Sequence, residues 1–195
     1  MSKLYFHYST MGAGKSLQLM AAAHNYIERN MKPLLFNFSG DERYGKGVVA
    51  SRTGIQMEAE LFDADTNFIW VMKQIDSKPD AIFVDEAQFL SERQVKQLHD
   101  IAVTWSIPVL TYGLRSDFLG RLFEGSAALM AHAETLVEIK TICECGKKAT
   151  HVRRYKDGVV CTAGEVVQIG DIEYKPLCYK CFCGEGFNGV DGSGS

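Results

Sequence analysis

Ser9-Thr10-Met11-Gly12-Ala13-Gly14-Lys15-Ser16 ends in Gly-Lys-Ser. A glycine-rich turn opening a helix aims successive backbone N–H groups and the positive end of the helix dipole at an anion. A terminal lysine then reaches the outer phosphates, and a hydroxyl meets a divalent cation. Ser9 to Ser16 is therefore a candidate cradle for nucleotide phosphates, with Lys15 on the β- and γ-phosphates and Ser16 on Mg²⁺. Ser9 departs from the GxxxxGK[ST] pattern at its first glycine, whereas Gly14 keeps the second.

Phosphoryl transfer also needs a carboxylate that orients the metal and a group that takes the acceptor's proton. Asp85 closes the apolar run Asp80–Val84 and suits Mg²⁺, directly or through water. Glu86, one residue on, suits the general base. With Phe89 they form Asp-Glu-Ala-Gln-Phe, which places Glu86, Ala87 and Gln88 beside the ATP site.

Cys143-x-Cys145 and Cys178-x-x-Cys181 stand about thirty residues apart, a spacing that closes one tetrahedral Cys₄ zinc site. Four thiolates leave no open position, so this zinc is expected to be structural, pinning both ends of the intervening segment. Cys181-Phe182-Cys183 is itself a Cys-x-Cys pair and offers an alternative ligand; we prefer Cys178 and Cys181, leaving Cys183 and Cys161 as free thiols. His151, between the clusters, reads as a surface histidine.

The elements that must position these groups follow from periodicity. Lys3–Tyr8 reads as a buried strand, Lys15 to about Arg29 as a helix with Leu19, Met20, Ala23 and Ile27 on one face, and Leu34–Phe38 as the next strand. Together they predict a right-handed β-α-β unit. Ser39–Gly54 reads as a mobile loop over or beside the site. Asp65–Ile75 predicts a helix, Asp80–Val84 a central strand, Ser91 with Gln94 a capping box for a helix through Ala102, and Ile107–Tyr112 a further strand. The alternation predicts an α/β fold, a P-loop (RecA-like) parallel sheet with flanking helices. After Thr141 the pattern changes to short β-like pieces. The expected organisation is a P-loop α/β domain over 1–140, a small zinc-binding domain at 141–185, and a flexible Gly/Ser-rich tail at 186–195.

Composition narrows the function classes. The chain has 195 residues, 46% hydrophobic and 23% charged, with net charge −3. That suits one core with an appendage and supplies no positive field for a nucleic-acid backbone. No apolar run reaches the roughly 18–20 residues of a membrane span, and Met1–Tyr8 lacks a secretory pattern, so a cytosolic location is expected. Six cysteines there favour metal over disulfides. Asp-Glu-Ala-Gln also resembles the DEAD-box ATPases, but the chain is too short for their two RecA-like cores. A zinc-stabilised binding module with a relic nucleotide site is the other rival.

Taken in order, the phosphate loop, Asp41-Glu42-Arg43-Tyr44, the 85–89 cluster, Leu114–Phe118, Cys143-x-Cys145, Val167–Gly170 and Tyr174 ahead of Cys178-x-x-Cys181 resemble the thymidine kinases of the cytosolic, zinc-containing type. The resemblance spans nearly the whole chain and is closest to bacterial members. It implies transfer of the ATP γ-phosphate to the 5′-hydroxyl of thymidine, giving dTMP in nucleotide salvage for DNA synthesis, and leaves deoxyuridine open as an alternative acceptor. Glu86 is then the base and Arg43 the charge stabiliser. The resemblance further implies a lasso at 166–174 whose main chain, at Val167, Gln168, Ile169 and Gly170, reads the base. Tyr174, Met11, Asp41, Leu114 and Phe118 complete the substrate site. It also implies a homotetramer and feedback inhibition by dTTP.

Overall fold

The computed structural model describes residues 2–41, 45, 47–164 and 172–184. In chain order the strands are β1 (Leu4–Ser9), β2 (Pro33–Phe38), β3 (Val48–Ala50), β4 (Gln56–Glu58), β5 (Glu60–Phe62), β6 (Ala81–Val84), β7 (Val109–Leu114), β8 (Thr135–Glu138), β9 (His151–Lys156), β10 (Val159–Val160) and β11 (Ile172–Leu177). The helices are α1 (Lys15–Ile27), α2 (Phe68–Gln74), α3 (Glu92–Thr104), α4 (Glu124–His132) and α5 (Tyr179–Gly184).

Six strands form one sheet in the order β5-β2-β6-β7-β1-β8, with every pairing parallel. Parallel strands covered on both faces must be apolar on both, and β6 is buried at all four positions. Ala81 and Phe83 pack with Leu19, Met20 and Ala23 of α1. Ile82 and Val84 face the opposite layer, where Phe68 of α2, Val95 and Leu98 of α3 and Leu129 of α4 lie. The expected α/β sandwich is present, with its strand C-termini along one edge.

Helix α3 begins as predicted. Ser91 Oγ accepts from Gln94 N (3.3 Å) and Gln94 Oε1 accepts from Ser91 N (2.9 Å). Gln94 Nε2 also donates to the Asp63 and Thr66 carbonyls, which anchors the approach to α2. Ser91→Ala removes the cap and is expected to cost about 1 kcal/mol, read as a Tm lowered by about 2–4 °C; an unchanged Tm would mean the cap is energetically idle.

One expectation is corrected. Ser39–Gly54 is not solely a loop: β3 pairs antiparallel with β4 in a hairpin. Its turn is closed by Ser51 N donating to the Ile55 carbonyl (2.9 Å) and Gly54 N to the Ser51 carbonyl (3.0 Å). The three-residue strands are too short to carry a period, and Val49, fully buried against the α1 face, holds the hairpin down.

A second sheet, in the order β10-β9-β11, is antiparallel and carries two adjacent buried arginines. The Arg153 guanidinium lies 3.8 Å over the Phe182 ring and donates to the Phe182 carbonyl (2.8 Å). The Arg154 guanidinium lies 3.7 Å over the Phe118 ring and donates to the Ala163 carbonyl (2.9 Å). A guanidinium cannot shed its proton, so burial is tolerated where rings and carbonyls replace water. Arg154 thereby ties the small sheet to the segment that follows β7.

Candidate active site

The phosphate loop connects β1 to α1, as its sequence requires. Gly12 and Gly14 have φ of 76° and 77°, a left-handed conformation that costs side-chain-bearing residues strain. Gly14 occupies the N-cap of α1 with no side chain capping the helix, so the first-turn N–H groups lack the usual Ser or Asp acceptor and are available to an anion. Lys15 is buried, its Nζ donating to Ser9 Oγ (3.2 Å) and the Thr10 carbonyl (3.3 Å). Ser9 Oγ itself donates to the Thr10 carbonyl (2.7 Å). The departure from glycine at position 9 thus supplies a hydroxyl that holds the lysine over the loop. Met11 and Ala13 are half-buried, Ser16 likewise, and Thr10 Oγ1 is buried with no hydrogen-bond partner among the described residues.

Across β7 from β1, strand β6 delivers the acidic pair. Asp85 is 3% exposed. Burial, then the neighbouring Glu86 charge, pushes its carboxyl up to about 6, opposed by a hydrogen bond from the Ser16 hydroxyl and by the Lys15 charge. A buried carboxylate beside a second one, with a hydroxyl at hand, is an oxygen donor set that a hard divalent cation satisfies. Asp85 and Ser16 therefore fit Mg²⁺.

Glu86 adopts φ 49°, ψ 36°, a region that costs a residue with a β-carbon energy and tends to mark functional positions. The turn redirects the chain from strand to the short 3₁₀ segment Ala87–Phe89, leaving Glu86 half-buried at the sheet's C-terminal edge. Ala87 is fully buried and Gln88 is 2% exposed. Gln88 Nε2 donates to Glu86 Oε2, and its Oε1 accepts from Leu114 N (2.9 Å).

Leu114 ends β7 in register with Ser9, which puts one expected wall residue directly beside the phosphate loop. Phe118 is buried beneath Arg154. Asp41 is half-buried after β2, and Tyr174, half-buried on β11, stands opposite Arg154. Arg43 and Val167, Gln168, Ile169 and Gly170 lie outside the described residues.

An arginine not singled out in the sequence lies at the loop. A β-carbon built on Gly12 would come 3.9 Å from Nη1 of Arg52. Arg52 sits in the β3–β4 turn, which in sequence is one cation in a polar stretch; only the hairpin's fold carries it to the phosphate cradle.

Cys143, Cys145, Cys178 and Cys181 come together with all four Sγ atoms within 4.8 Å of one another. Zinc–sulfur bonds of about 2.3 Å in a tetrahedron place sulfurs about 3.8 Å apart, and Cys145 and Cys178 are 3.6 Å apart. The four residues therefore fit Zn²⁺. The Cys178 thiol is drawn down to about 7 by a backbone hydrogen bond involving Cys181, while Cys181 is pushed up to about 12 by the Cys178, Cys145 and Cys143 thiols around it. Several adjacent thiols cannot all lose their protons without a compensating cation. Cys183 lies beside Tyr179 and outside the four-sulfur cluster.

His151 is corrected from a surface residue to a half-buried one. Its ring packs on Phe182 (4.6 Å) and Tyr179 (5.4 Å), and Nδ1 meets Thr150 Oγ1 (2.9 Å). A cleft of about 530 Å³ lined by Met72, Ile75, Lys78, Thr104 and Trp105 lies at the opposite, N-terminal edge of the sheet.

The thymidine kinase family model matches residues 2–182. A thymidine kinase of Colwellia psychrerythraea is 49% identical over 189 residues, covering 93% of this chain and 97% of the relative. Those of Rhodopirellula baltica and of Vibrio vulnificus strain CMCP6 are each 50% identical, over 182 and 183 residues, covering 91% of this chain and 86% and 95% of the relatives.

Proposed function

The chain belongs to the thymidine kinase family, and from that premise we propose that it transfers the γ-phosphoryl group of ATP to the 5′-hydroxyl of thymidine, and of deoxyuridine, giving the monophosphate for salvage. The observation that carries the reading is the convergence on one edge of the sheet. The phosphate loop follows β1, the acidic pair follows β6, and β7 lies between them and ends at Leu114. Open α/β sheets bind ligands at the carboxyl ends of their strands.

The loop N–H groups and Lys15 hold the β- and γ-phosphates, with Met11, Gly12 and Ala13 along the path and Arg52 above it. Ser16 and Asp85 hold Mg²⁺, which neutralises phosphate charge when bound. Glu86 accepts the proton of the 5′-hydroxyl as its oxygen attacks phosphorus and the bond to the ADP oxygen breaks. Such a transition state is loose and needs little covalent help, so fixing donor and acceptor in line contributes most. Arg43 supplies further charge stabilisation. Leu114, Phe118, Tyr174, Asp41 and the main chain of 167–170 enclose the nucleoside. Zn²⁺ on Cys143, Cys145, Cys178 and Cys181 is structural.

The same family reading extends to a homotetramer, to feedback inhibition by dTTP lying across the nucleoside pocket with its phosphates toward the loop, and to a cytoplasmic location. Among the described residues no helix is long and apolar enough to cross a membrane.

A panel of nucleosides with ATP and Mg²⁺ tests the core of this. Thymidine and deoxyuridine are expected to be phosphorylated and other nucleosides not. Hydrolysis of ATP without nucleoside phosphorylation, stimulated by DNA or RNA, would overturn it. Inhibition by dTTP and sedimentation of the purified protein test the regulatory and oligomeric parts.

A further inference from the structure

Gln88 is buried, polar and wedged between the proposed base and the strand that ends beside the phosphate loop. Its amide has one orientation compatible with its neighbours. The Leu114 N–H can only donate, so it must meet Oε1, at 2.9 Å. That turns Nε2 toward Glu86 Oε2, and an ionised carboxylate can only accept. One side chain thus links a carboxylate in a strained turn to the main chain of the β7 terminus.

The surroundings are built to hold that wedge. A β-carbon on Gly113 would come 2.9 Å from Gln88 N and 3.0 Å from Gln88 Oε1, so β7 can approach this closely only through glycine. From the other side, a β-carbon on Gly125 of α4 would lie 2.6 Å from the Leu90 carbonyl oxygen and 2.7 Å from that of Ala87. Ser126 Oγ donates to the Leu114 carbonyl (2.6 Å), tying the same strand end to α4. The turn carrying Glu86 is therefore clamped between β7 and α4, and Gln88 passes this rigidity to the carboxylate.

We propose that Gln88 is a positioning residue for phosphoryl transfer: it fixes the Glu86 carboxylate against the acceptor hydroxyl and sets its distance from the Leu114 wall. The inference rests on Glu86 being the base. Gln88 touches neither phosphate nor nucleoside in this role, so its loss acts on kcat and spares the KM of both substrates.

A double-mutant cycle tests it. Gln88→Met keeps length and removes both hydrogen bonds; it is expected to lower kcat at least about tenfold, as loss of groups that orient a reactive residue does, with KM for ATP and thymidine within about twofold. In the Glu86→Gln background the same substitution is expected to change nothing further, because its only route to the chemistry is gone. A merely structural role would lower kcat by the same factor in both backgrounds, and that result overturns the proposal. Gln88→Asn keeps a neutral amide that, one methylene shorter, cannot reach both Glu86 Oε2 and Leu114 N; it is expected to lower kcat with both KM values within about twofold, and it carries the test if Gln88→Met does not fold. If Glu86→Gln abolishes turnover while both Gln88 variants keep wild-type kcat, this inference alone fails. If Glu86→Gln itself keeps kcat, the base assignment falls and takes the inference with it.

Discussion

Glu86→Gln is expected to lower kcat by about 10²-fold or more while leaving the KM of ATP and thymidine within a few-fold. General-base catalysis contributes about 10²–10⁴-fold, roughly 3–5 kcal/mol at 1.36 kcal/mol per tenfold. Phosphoryl transfer draws mainly on positioning and charge stabilisation, which favours the lower part of that range. The substitution keeps size and shape, and the hydrogen bond from Gln88 Nε2 can still be accepted by an amide oxygen. The lost ability is to take the hydroxyl proton. Steady-state kinetics on thymidine read the effect; a kcat within about threefold of wild type would remove Glu86 from the chemistry and return the acidic pair to a strand end that holds the metal.

Removing zinc is expected to abolish thymidine phosphorylation while binding of an ATP analogue persists. The four cysteines close the segment that carries β9, β10 and β11, and local hydrogen bonds reinforce the closure. Cys143 N donates to the Lys147 carbonyl (2.7 Å), Gly146 N to the Cys143 carbonyl (2.8 Å) and Thr150 N to the Leu177 carbonyl (2.9 Å). The apolar cluster there is small: Cys143, Ala149, Leu177, Cys178 and Phe182, with Cys181 and Cys183 packed against it. Structural zinc contributes about 10–16 kcal/mol of apparent binding energy in small metal-dependent units, against about 5–15 kcal/mol for the stability of a whole domain. The small sheet should therefore not survive chelation, whereas the parallel sheet has its own two-sided core. Chelated protein is expected to lose near-stoichiometric zinc by metal analysis, to lose turnover, and to regain it on zinc addition. Cys178→Ser should behave like the chelated protein. Zinc-free enzyme with an unchanged KM for thymidine would show that the nucleoside site does not depend on the cluster.

The sequence readily yielded whatever is encoded within a few residues. The phosphate loop, the Ser91–Gln94 capping box and the two cysteine pairs each combine residue type with short spacing, because the chemistry they perform is itself local. Central strands β1, β2 and β6 were legible since burial on both faces makes them near-continuous apolar runs. Strands β3, β4 and β5 span three residues each and leave no period to read. Strand β7 runs on to Leu114 through Gly113, a glycine that in sequence suggests a break and in the fold makes room for Gln88. Helix α4 has no side-chain cap and contains Gly125; contact with the Ala87–Leu90 turn justifies that glycine, not helix propensity.

Tertiary structure alone decided how the chemical groups meet. Residue types and local spacing marked Lys15, Ser16, Asp85, Glu86 and the four cysteines, because a phosphate cradle, a metal-orienting carboxylate and a thiolate cage each require particular atoms. The Ser16–Asp85 hydrogen bond joins segments separated by a whole β-α-β unit. Arg52 reaches Gly12 only through the β3–β4 hairpin. Arg153 and Arg154, which nothing in the local sequence singles out, are buried by aromatic rings distant in sequence. Gln88 gains Leu114 N as a partner only because β6 and β7 end side by side. Each of these depends on long-range pairing, whose energy comes from the packed core as a whole and leaves no mark on the neighbouring letters of the chain.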